Sequence, residues 1–176
     1  MPEVVKESIV YICAGSNLGD RIGFIQQASC LLKDTEGIEL LDTSSFYETE
    51  PFGYKNQEWF VNAILKIKTA LEPYDLLKAC RRVESQLGRE RYPEQPKWGP
   101  RKIDLDILFY DDKVVSTDVL QIPHAGVHLR AFALVPMLEL APDLVHPTIG
   151  KSMLEIHSEL PDPEEVYLYG TRPIYD

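Results

Sequence analysis

Two aspartates separated by a single residue, Asp104 and Asp106, are the clearest sign of chemistry in this sequence. They belong to the run 102–110, where apolar and polar residues alternate, and such alternation predicts a β-strand. Side chains two apart on a strand share a face, so we expect the two carboxylates about 6.5–7 Å apart. Carboxylates at this spacing can each bind a hard cation or can bridge two ions. The pair alone is equally compatible with the solvent-facing side of a strand.

The segment leading to these aspartates is rich in arginine and lysine. Residues 81–102 contain seven basic and three acidic residues, a net charge of +4. The remaining eleven basic and twenty-five acidic residues give the rest of the chain a net charge of −14. Planar guanidinium groups bind anions that offer several oxygens, and metal-binding carboxylates beside arginines are typical of phosphoryl transfer. The combination indicates a polyphosphate site, whereas the charge run by itself also fits a solvated helix face followed by a polar loop.

Several common nucleotide-binding motifs are missing from the sequence. It contains neither the Gly-x-x-x-x-Gly-Lys-Ser/Thr loop of P-loop proteins nor the glycine-rich loop of protein kinases. Gly15 and Gly19 do not have the spacing of a dinucleotide-binding fingerprint. These classes of nucleotide-binding protein are therefore excluded.

The elements that must position the charged residues follow from periodicity and from turn residues. Asp20 is a candidate N-cap for a first helix, Pro73 marks the start of a second helix that ends before Gly88, and Ser152 and Glu155 form a capping-box pattern. A helix over 129–140 is expected to break at Pro136. The predicted extended segments are 8–13, 38–49, 60–68 and 102–110, the last followed by a possible hairpin through 111–115. Because several strands are joined by short connections, the pattern favours an α+β fold with a largely antiparallel sheet.

Length and composition restrict the protein further. With 176 residues and no linker-like segment, we expect one domain spanning 1–176. A net charge of −10 argues against a protein that coats nucleic acid or an anionic membrane. The three cysteines have neither metal-ligand nor disulfide spacing, and no signal peptide or bilayer-length apolar run is apparent, so we expect a cytoplasmic location.

Four sequence blocks, in order, resemble the 6-hydroxymethyl-7,8-dihydropterin pyrophosphokinase family. They are GSNLGDR at 15–21; SFYETEP at 45–51 with FVNA at 60–63; GR at 88–89 with WGPRKIDLDI at 98–107; and PH at 123–124 with RAF at 130–132. The resemblance covers roughly 8–157 and leaves 158–176 as a C-terminal extension. It implies a ferredoxin-like fold in α-β-α layers. The implied reaction transfers pyrophosphate from MgATP to a dihydropterin alcohol in folate biosynthesis and releases AMP.

The resemblance also implies roles for individual residues. Asp104 and Asp106 match residues that hold two Mg²⁺ ions, and Arg89 and Arg101 match arginines that contact the phosphates during transfer. The positions that match nucleotide-binding residues are Arg91, Lys97 (where the family usually has Arg), Trp98, Ile107, His124 and Arg130. The positions that match pterin-binding residues are Thr49, Glu50, Phe52, Phe60, Asn62, Trp98 and Phe132. Without the resemblance, Phe60 and Phe132 would be interpreted as core residues.

Two other functions stay open on the sequence alone. A nucleotidyltransferase with two carboxylates on a sheet would attack the α-phosphorus of ATP and release pyrophosphate. A non-catalytic binding module would bind a pterin or a nucleotide without forming a product. The expected partners are small molecules, with no nucleic acid and no membrane, and the expected state is a monomer or a weak homodimer.

Overall fold

The computed structural model describes residues 3–51, 55–89 and 100–170. The strands are β1 (Ser8–Ser16), β2 (Ile38–Thr43), β3 (Phe46–Thr49), β4 (Phe60–Thr69), β5 (Asp104–Tyr110), β6 (Val115–Ser116), β7 (Gln121–Ile122) and β8 (Val166–Gly170). The helices are α1 (Arg21–Lys33), α2 (Pro73–Gln86), α3 (Ala131–Leu140) and α4 (Met153–Ser158), with a 3-10 turn at Val127–Leu129. None of these helices is both long enough and apolar enough to cross a lipid bilayer.

The main sheet contains six strands in the order β5-β1-β4-β3-β8, and β2 pairs with the other end of β4. Each pairing among these strands is antiparallel. Helix α1 connects β1 to the β2–β3 segment, and α2 connects β4 to β5. This order confirms the predicted α+β class and its ferredoxin-like arrangement.

Apolar residues on both faces of the sheet divide the core into two parts. On one face, Ile25 and Leu32 of α1 and Leu76 and Val83 of α2 belong to the same buried cluster as Ile12 of β1. On the other face, α3 and α4 pack against the sheet through a second buried cluster. The sheet therefore lies between two helical layers, which matches the α-β-α layers implied by the resemblance.

Helix ends follow the sequence signals. The Asp20 carboxylate accepts a hydrogen bond from the Gly23 amide and caps α1, while Pro73 is the first residue of α2. Ser152 and Glu155 make both hydrogen bonds of a capping box at the start of α4. These three predictions are confirmed because each rests on contacts between near neighbours in the chain.

Two strands differ from the sequence prediction. Strand β1 continues through the predicted turn at 14–17 as far as Ser16, because its last residues pair with β4 and β5 on either side. Tyr11 and Ile12 of β1 pair with Phe109 and Ile107 of β5, so Leu108 is an extra residue on β5 and forms a β-bulge. Strict alternation predicted that Phe109 and Ile107 would lie on the same face of the sheet. Because of the bulge, Phe109 instead belongs to the buried cluster beneath α3 and α4.

Two further expectations are wrong in detail. Helix α3 continues through Pro136 without a break: proline cannot donate to the Phe132 carbonyl, but Leu134 and Met137 on either side of it are packed in the core. The segment after β5 does not fold back on β5; instead β6 pairs with β7. Within the predicted C-terminal extension, β8 pairs with β3 and so belongs to the main sheet.

The buried ring of His146 provides a test of the loop that precedes α4. Its Nδ1 accepts hydrogen bonds from the backbone amides of Thr148 and Ile149, so the ring is neutral. Burial lowers the pKa of His146 below the usual 6.5, and the neighbouring His128 lowers it further. As the pH falls through 6.5, His146 is therefore protonated in the unfolded chain before it is protonated in the folded protein. This proton uptake favours the unfolded state, so the free energy of unfolding decreases.

We predict that His146→Asn reduces this pH dependence, because the Asn amide oxygen can accept the same two amides without titrating. Urea unfolding at about pH 7.5 and about pH 5.5 measures the loss of stability for each protein. Wild type should lose more stability than His146→Asn over this range, and His157→Asn on α4 should behave like wild type. Equal losses in wild type and His146→Asn would contradict the prediction.

Candidate functional site

A cleft of about 670 Å³ opens where β1, β4 and β5 meet α2, the β6–β7 segment and the start of α3. Twelve of the predicted site residues line it: Thr49, Glu50, Phe60, Asn62, Arg89, Arg101, Asp104, Asp106, Ile107, His124, Arg130 and Phe132. The other four, Phe52, Arg91, Lys97 and Trp98, lie outside the described residues. The fold thus brings together residues that are separated by up to 83 positions in the sequence.

Strand register explains how the two ends of the cleft are joined. Gly15 of β1 pairs with Asn62 of β4 on one side and with Asp104 of β5 on the other. Paired residues point to the same face of a sheet, so the amide and the carboxylate flank a position that has no side chain. Adjacent strands are about 4.8 Å apart, which separates Asn62 from Asp104 by roughly 10 Å of backbone. A polar amide end and a charged end therefore share one cleft.

The charged end is organised around Asp104. Its two oxygens accept hydrogen bonds from different arginines, Oδ1 from Arg89 Nη1 and Oδ2 from Arg101 Nη1, each at 2.7 Å. Arg89 also forms an ion pair with Glu84, a carboxylate on α2 that is only 3% exposed. Desolvation lowers the pKa of Arg89, but the charges of Asp104 and Glu84 outweigh it and raise the pKa overall. The Arg89 guanidinium therefore stays charged on the wall of the cleft.

Asp106 is the less compensated member of the aspartate pair. Its pKa is raised well above the usual range because it is desolvated, and the negative charges of Asp104 and Glu84 add to the shift while Arg101 opposes it. Buried beside it, the Cys13 thiol also has a raised pKa, first through desolvation and then through both aspartates. A cation bound at Asp106 would relieve this concentration of negative charge.

The donor set fits magnesium that arrives with phosphates. Asp104 and Asp106 offer hard carboxylate oxygens from one strand face, as Mg²⁺ prefers. Over the described ranges, no group of three or more His, Cys, Asp or Glu side chains could hold a metal. A pair of carboxylates leaves several positions for phosphate oxygens and water, which is how Mg²⁺ is usually bound beside a nucleotide.

His124 is fixed in one tautomer by its surroundings. Its Nδ1 accepts a hydrogen bond from the Gly126 amide at 3.2 Å, and desolvation lowers the pKa of the ring. The backbone amide of His124 donates to the carbonyl of Leu108, the bulge residue of β5. A neutral ring with an occupied Nδ1 carries its proton on Nε2, so this side chain can donate a hydrogen bond but is poorly suited to accept a proton.

The opposite end of the cleft combines buried polar groups with aromatic rings. Asn62 is 5% exposed and its Nδ2 donates to Thr49 Oγ1 at 2.7 Å, which fixes the orientation of the amide. Phe60 and Phe132 lie on the cleft wall and are half-buried. An oriented amide beside aromatic side chains can recognise a flat heterocycle with a hydrogen-bonding edge.

Sequence reasoning assigned no role to Asn17 or Glu84, although both organise the site. The Asn17 backbone amide donates to the Arg101 carbonyl, and Asn17 Oδ1 accepts from the Arg101 amide at 2.7 Å. Its Nδ2 also donates to Gln57 and to the Glu58 carbonyl. One sequence feature could have identified Glu84: it is a carboxylate on the otherwise apolar face of a strongly amphipathic helix.

Comparison with known proteins identifies the family. Residues 11–142 match the family model described as 7,8-dihydro-6-hydroxymethylpterin-pyrophosphokinase (HPPK). The chain is also 42% identical over 150 residues to a 2-amino-4-hydroxy-6-hydroxymethyldihydropteridine pyrophosphokinase of Aquifex aeolicus, covering 85% of this chain and 91% of the relative. This chain belongs to the HPPK family.

Longer relatives contain an HPPK region as one part. The chain is 44% identical over 169 residues to the folic acid synthesis protein fol1 of Schizosaccharomyces pombe, covering 96% of this chain but only 22% of fol1. Among solved structures, HPPK-DHPS of Plasmodium falciparum superposes with a TM-score of 0.70 at 14% identity, covering 90% of this chain and 46% of that one. At that identity the structural likeness supports the fold alone.

The HPPK match contains the residues that line the cleft but ends before β8. Its range, 11–142, includes each of the twelve described site residues. Strand β8 lies beyond the match and pairs with β3, the strand that ends at Thr49 on the cleft wall.

The missing side chain at Gly15 is a structural requirement of the site. A Cβ at this position would lie 2.5 Å from Asn62 Oδ1, whereas a Cβ at Gly126, also on the cleft wall, would meet no atom closer than 3.7 Å. We predict that Gly15→Ala displaces the Asn62 amide from Thr49 and lowers the free energy of unfolding by about 1–3 kcal/mol. Gly126→Ala should change it by less than about 1 kcal/mol.

Denaturant unfolding and the chemical shifts of the Asn62 side-chain amide measure these effects. A Gly15→Ala protein with wild-type stability and an unshifted Asn62 amide would contradict the prediction.

Proposed function

We propose that this chain transfers the β,γ-diphosphate group of ATP to the hydroxymethyl oxygen of 6-hydroxymethyl-7,8-dihydropterin, giving the pterin diphosphate and AMP in folate biosynthesis. The proposal rests mainly on one observation: the charged side chains and the Asn62 amide line the same cleft. Asp104 and Asp106 lie beside Arg89 and Arg101, and Gly15 connects them through the sheet to the Asn62 amide. Membership of the HPPK family supports the same reaction.

The reaction requires two substrates held in line. The hydroxymethyl oxygen forms a bond to the β-phosphorus as the bond from that phosphorus to the α,β-bridging oxygen breaks. AMP leaves with the bridging oxygen, and the alcohol loses its proton. Holding the nucleophile and the leaving oxygen on opposite sides of phosphorus is the largest contribution that such a cleft can make.

Charged side chains stabilise the phosphates. Arg89 and Arg101 present fixed positive charge, and planar guanidinium groups match the oxygens of a phosphate. Asp104 and Asp106 would hold Mg²⁺, in our proposal two ions. When bound with ATP, Mg²⁺ neutralises phosphate charge and increases the acidity of the alcohol.

Each substrate has its own group of residues. For the nucleotide we propose Arg91, Lys97, Trp98, Ile107, His124 and Arg130, with His124 Nε2 as a hydrogen-bond donor. For the pterin we propose Thr49, Glu50, Phe52, Phe60, Asn62, Trp98 and Phe132, with the Asn62 amide facing the polar edge of the ring and the aromatic side chains stacking on its faces.

We propose further that the protein acts in the cytoplasm as a monomer or a weak homodimer. Its three cysteines are free, and two of them, Cys13 and Cys80, are buried. Burial raises the pKa of Cys80 to about 12, so this thiol stays protonated. Three unpaired thiols, two of them buried, fit a reducing compartment.

The experiment that tests the function is an incubation with MgATP and the dihydropterin alcohol, scored for AMP. We expect AMP to form in proportion to the pterin consumed and only when both substrates are present. Pyrophosphate as the second product would instead indicate nucleotidyl transfer. Binding of both ligands without any product would indicate a non-catalytic module.

Asp104→Asn and Asp106→Asn test the proposed metal ligands. Each change keeps the size of the side chain but replaces a carboxyl group that can bind Mg²⁺ by an amide, so each should lower the rate of AMP formation by about 100-fold or more. Asp112→Asn, an exposed position in the turn after β5, is the matched control and should keep the wild-type rate. Wild-type turnover by either of the first two variants would show that the carboxylate is not needed.

A further inference from the structure

The segment from Glu164 to Tyr167 contacts three parts of the chain that carry proposed pterin-binding residues. It leads into and forms β8, which pairs with β3 so that Val166 lies opposite Thr49. This segment lies beyond residues 11–142, the range that matches the HPPK family model. The family match therefore does not cover the contacts that this segment makes.

Glu164 caps helix α3 from a distant part of the sequence. Its Oε1 accepts a hydrogen bond from the backbone amide of Phe132, the second residue of α3, at 2.7 Å. The local N-cap residue, Arg130, makes no side-chain capping bond. The free amides at the start of a helix need acceptors, and a carboxylate there is also favoured by the helix dipole. Glu164 therefore fixes the backbone that carries the Phe132 ring.

The next residues of the segment contact two further sides of the cleft. The Glu165 amide donates to Glu50 Oε1 at 3.2 Å, and the Glu50 amide donates to the Glu165 carbonyl at 3.4 Å. Tyr167 stacks on Trp59, the residue before Phe60, with 6.0 Å between ring centroids. The Glu164–Tyr167 segment therefore contacts Glu50 and the Phe132 backbone directly, and it contacts Trp59, which precedes Phe60 in the chain.

We propose that Glu164 is a positioning residue for the pterin end of the cleft, and that the Glu164–Tyr167 segment sets the spacing of the groups that enclose the ring. This inference rests on the proposed function, in which Phe132 stacks on the pterin. Glu164 touches no substrate; it acts through the Phe132 backbone. Its removal therefore affects pterin binding more than nucleotide binding, because Arg130 at the start of α3 is the proposed nucleotide residue nearest to the lost bond, whereas Asp104 and Arg101 lie on and before β5.

The test compares Glu164→Ala with Glu164→Gln, whose amide oxygen can still accept from the Phe132 amide. Glu159→Ala is the matched control, because Glu159 is an exposed glutamate whose ion-pair partner is Lys151. KM for the pterin should rise about 5- to 10-fold in Glu164→Ala, the fold-change expected for the loss of one helix cap. Glu164→Gln should restore most of it, and KM for ATP should rise by a smaller factor than KM for the pterin.

Equal increases in both KM values, or none, would overturn the inference, because a purely structural cap would affect both substrates alike. Fluorescence titration with 6-hydroxymethylpterin and a non-hydrolysable MgATP analogue separates this inference from the proposed function. A wild-type protein that releases no AMP contradicts the function. Weaker pterin binding by Glu164→Ala than by wild type still supports the inference, and equal binding by the two proteins, or none by either, overturns it.

Discussion

The arrangement of the site depends on one register, in which Gly15 of β1 pairs with Asn62 on one side and Asp104 on the other. Three adjacent antiparallel strands place an amide, a gap and a carboxylate across one sheet face, and the gap exists because glycine has no Cβ. A side chain at Gly15 would collide with the Asn62 amide. A shift of the register by one residue would turn Asn62 or Asp104 to the opposite face. The amide end and the charged end of the cleft are therefore connected by backbone hydrogen bonds rather than by flexible loops.

Electrostatic balance at the charged end of the cleft is local. The chain has a net charge of −10, but Asp104 is shared by Arg89 and Arg101, and Glu84 pairs with Arg89. Because these groups are partly removed from water, their interactions are stronger than those of surface pairs. An acidic protein can thus bind a highly charged nucleotide when arginines and Mg²⁺-binding carboxylates lie together in a cleft. The net charge of the whole chain says little about ATP binding.

Local sequence patterns predicted what depends on near neighbours. Alternation placed Asp104 and Asp106 on one face of β5, and capping residues and proline marked the starts of α1, α2 and α4. Features that depend on distant partners were not predictable in this way. The bulge at Leu108 follows from how β5 meets β1, and the role of Asn17 depends on Arg101, 84 positions away. Glu164 caps a helix that begins 33 residues earlier, so no capping signal is visible near Ala131.

The fate of the α,β-bridging oxygen of ATP shows which phosphorus the alcohol attacks. ATP labelled with ¹⁸O at that bridging position is incubated with Mg²⁺, the dihydropterin alcohol and the protein, and the products are separated and analysed by ³¹P NMR and mass spectrometry. If the cleft directs attack at the β-phosphorus, as we propose, all of the label leaves with AMP and the pterin product carries an unlabelled diphosphate. Label in released pyrophosphate, or ADP as the nucleotide product, would contradict this proposal.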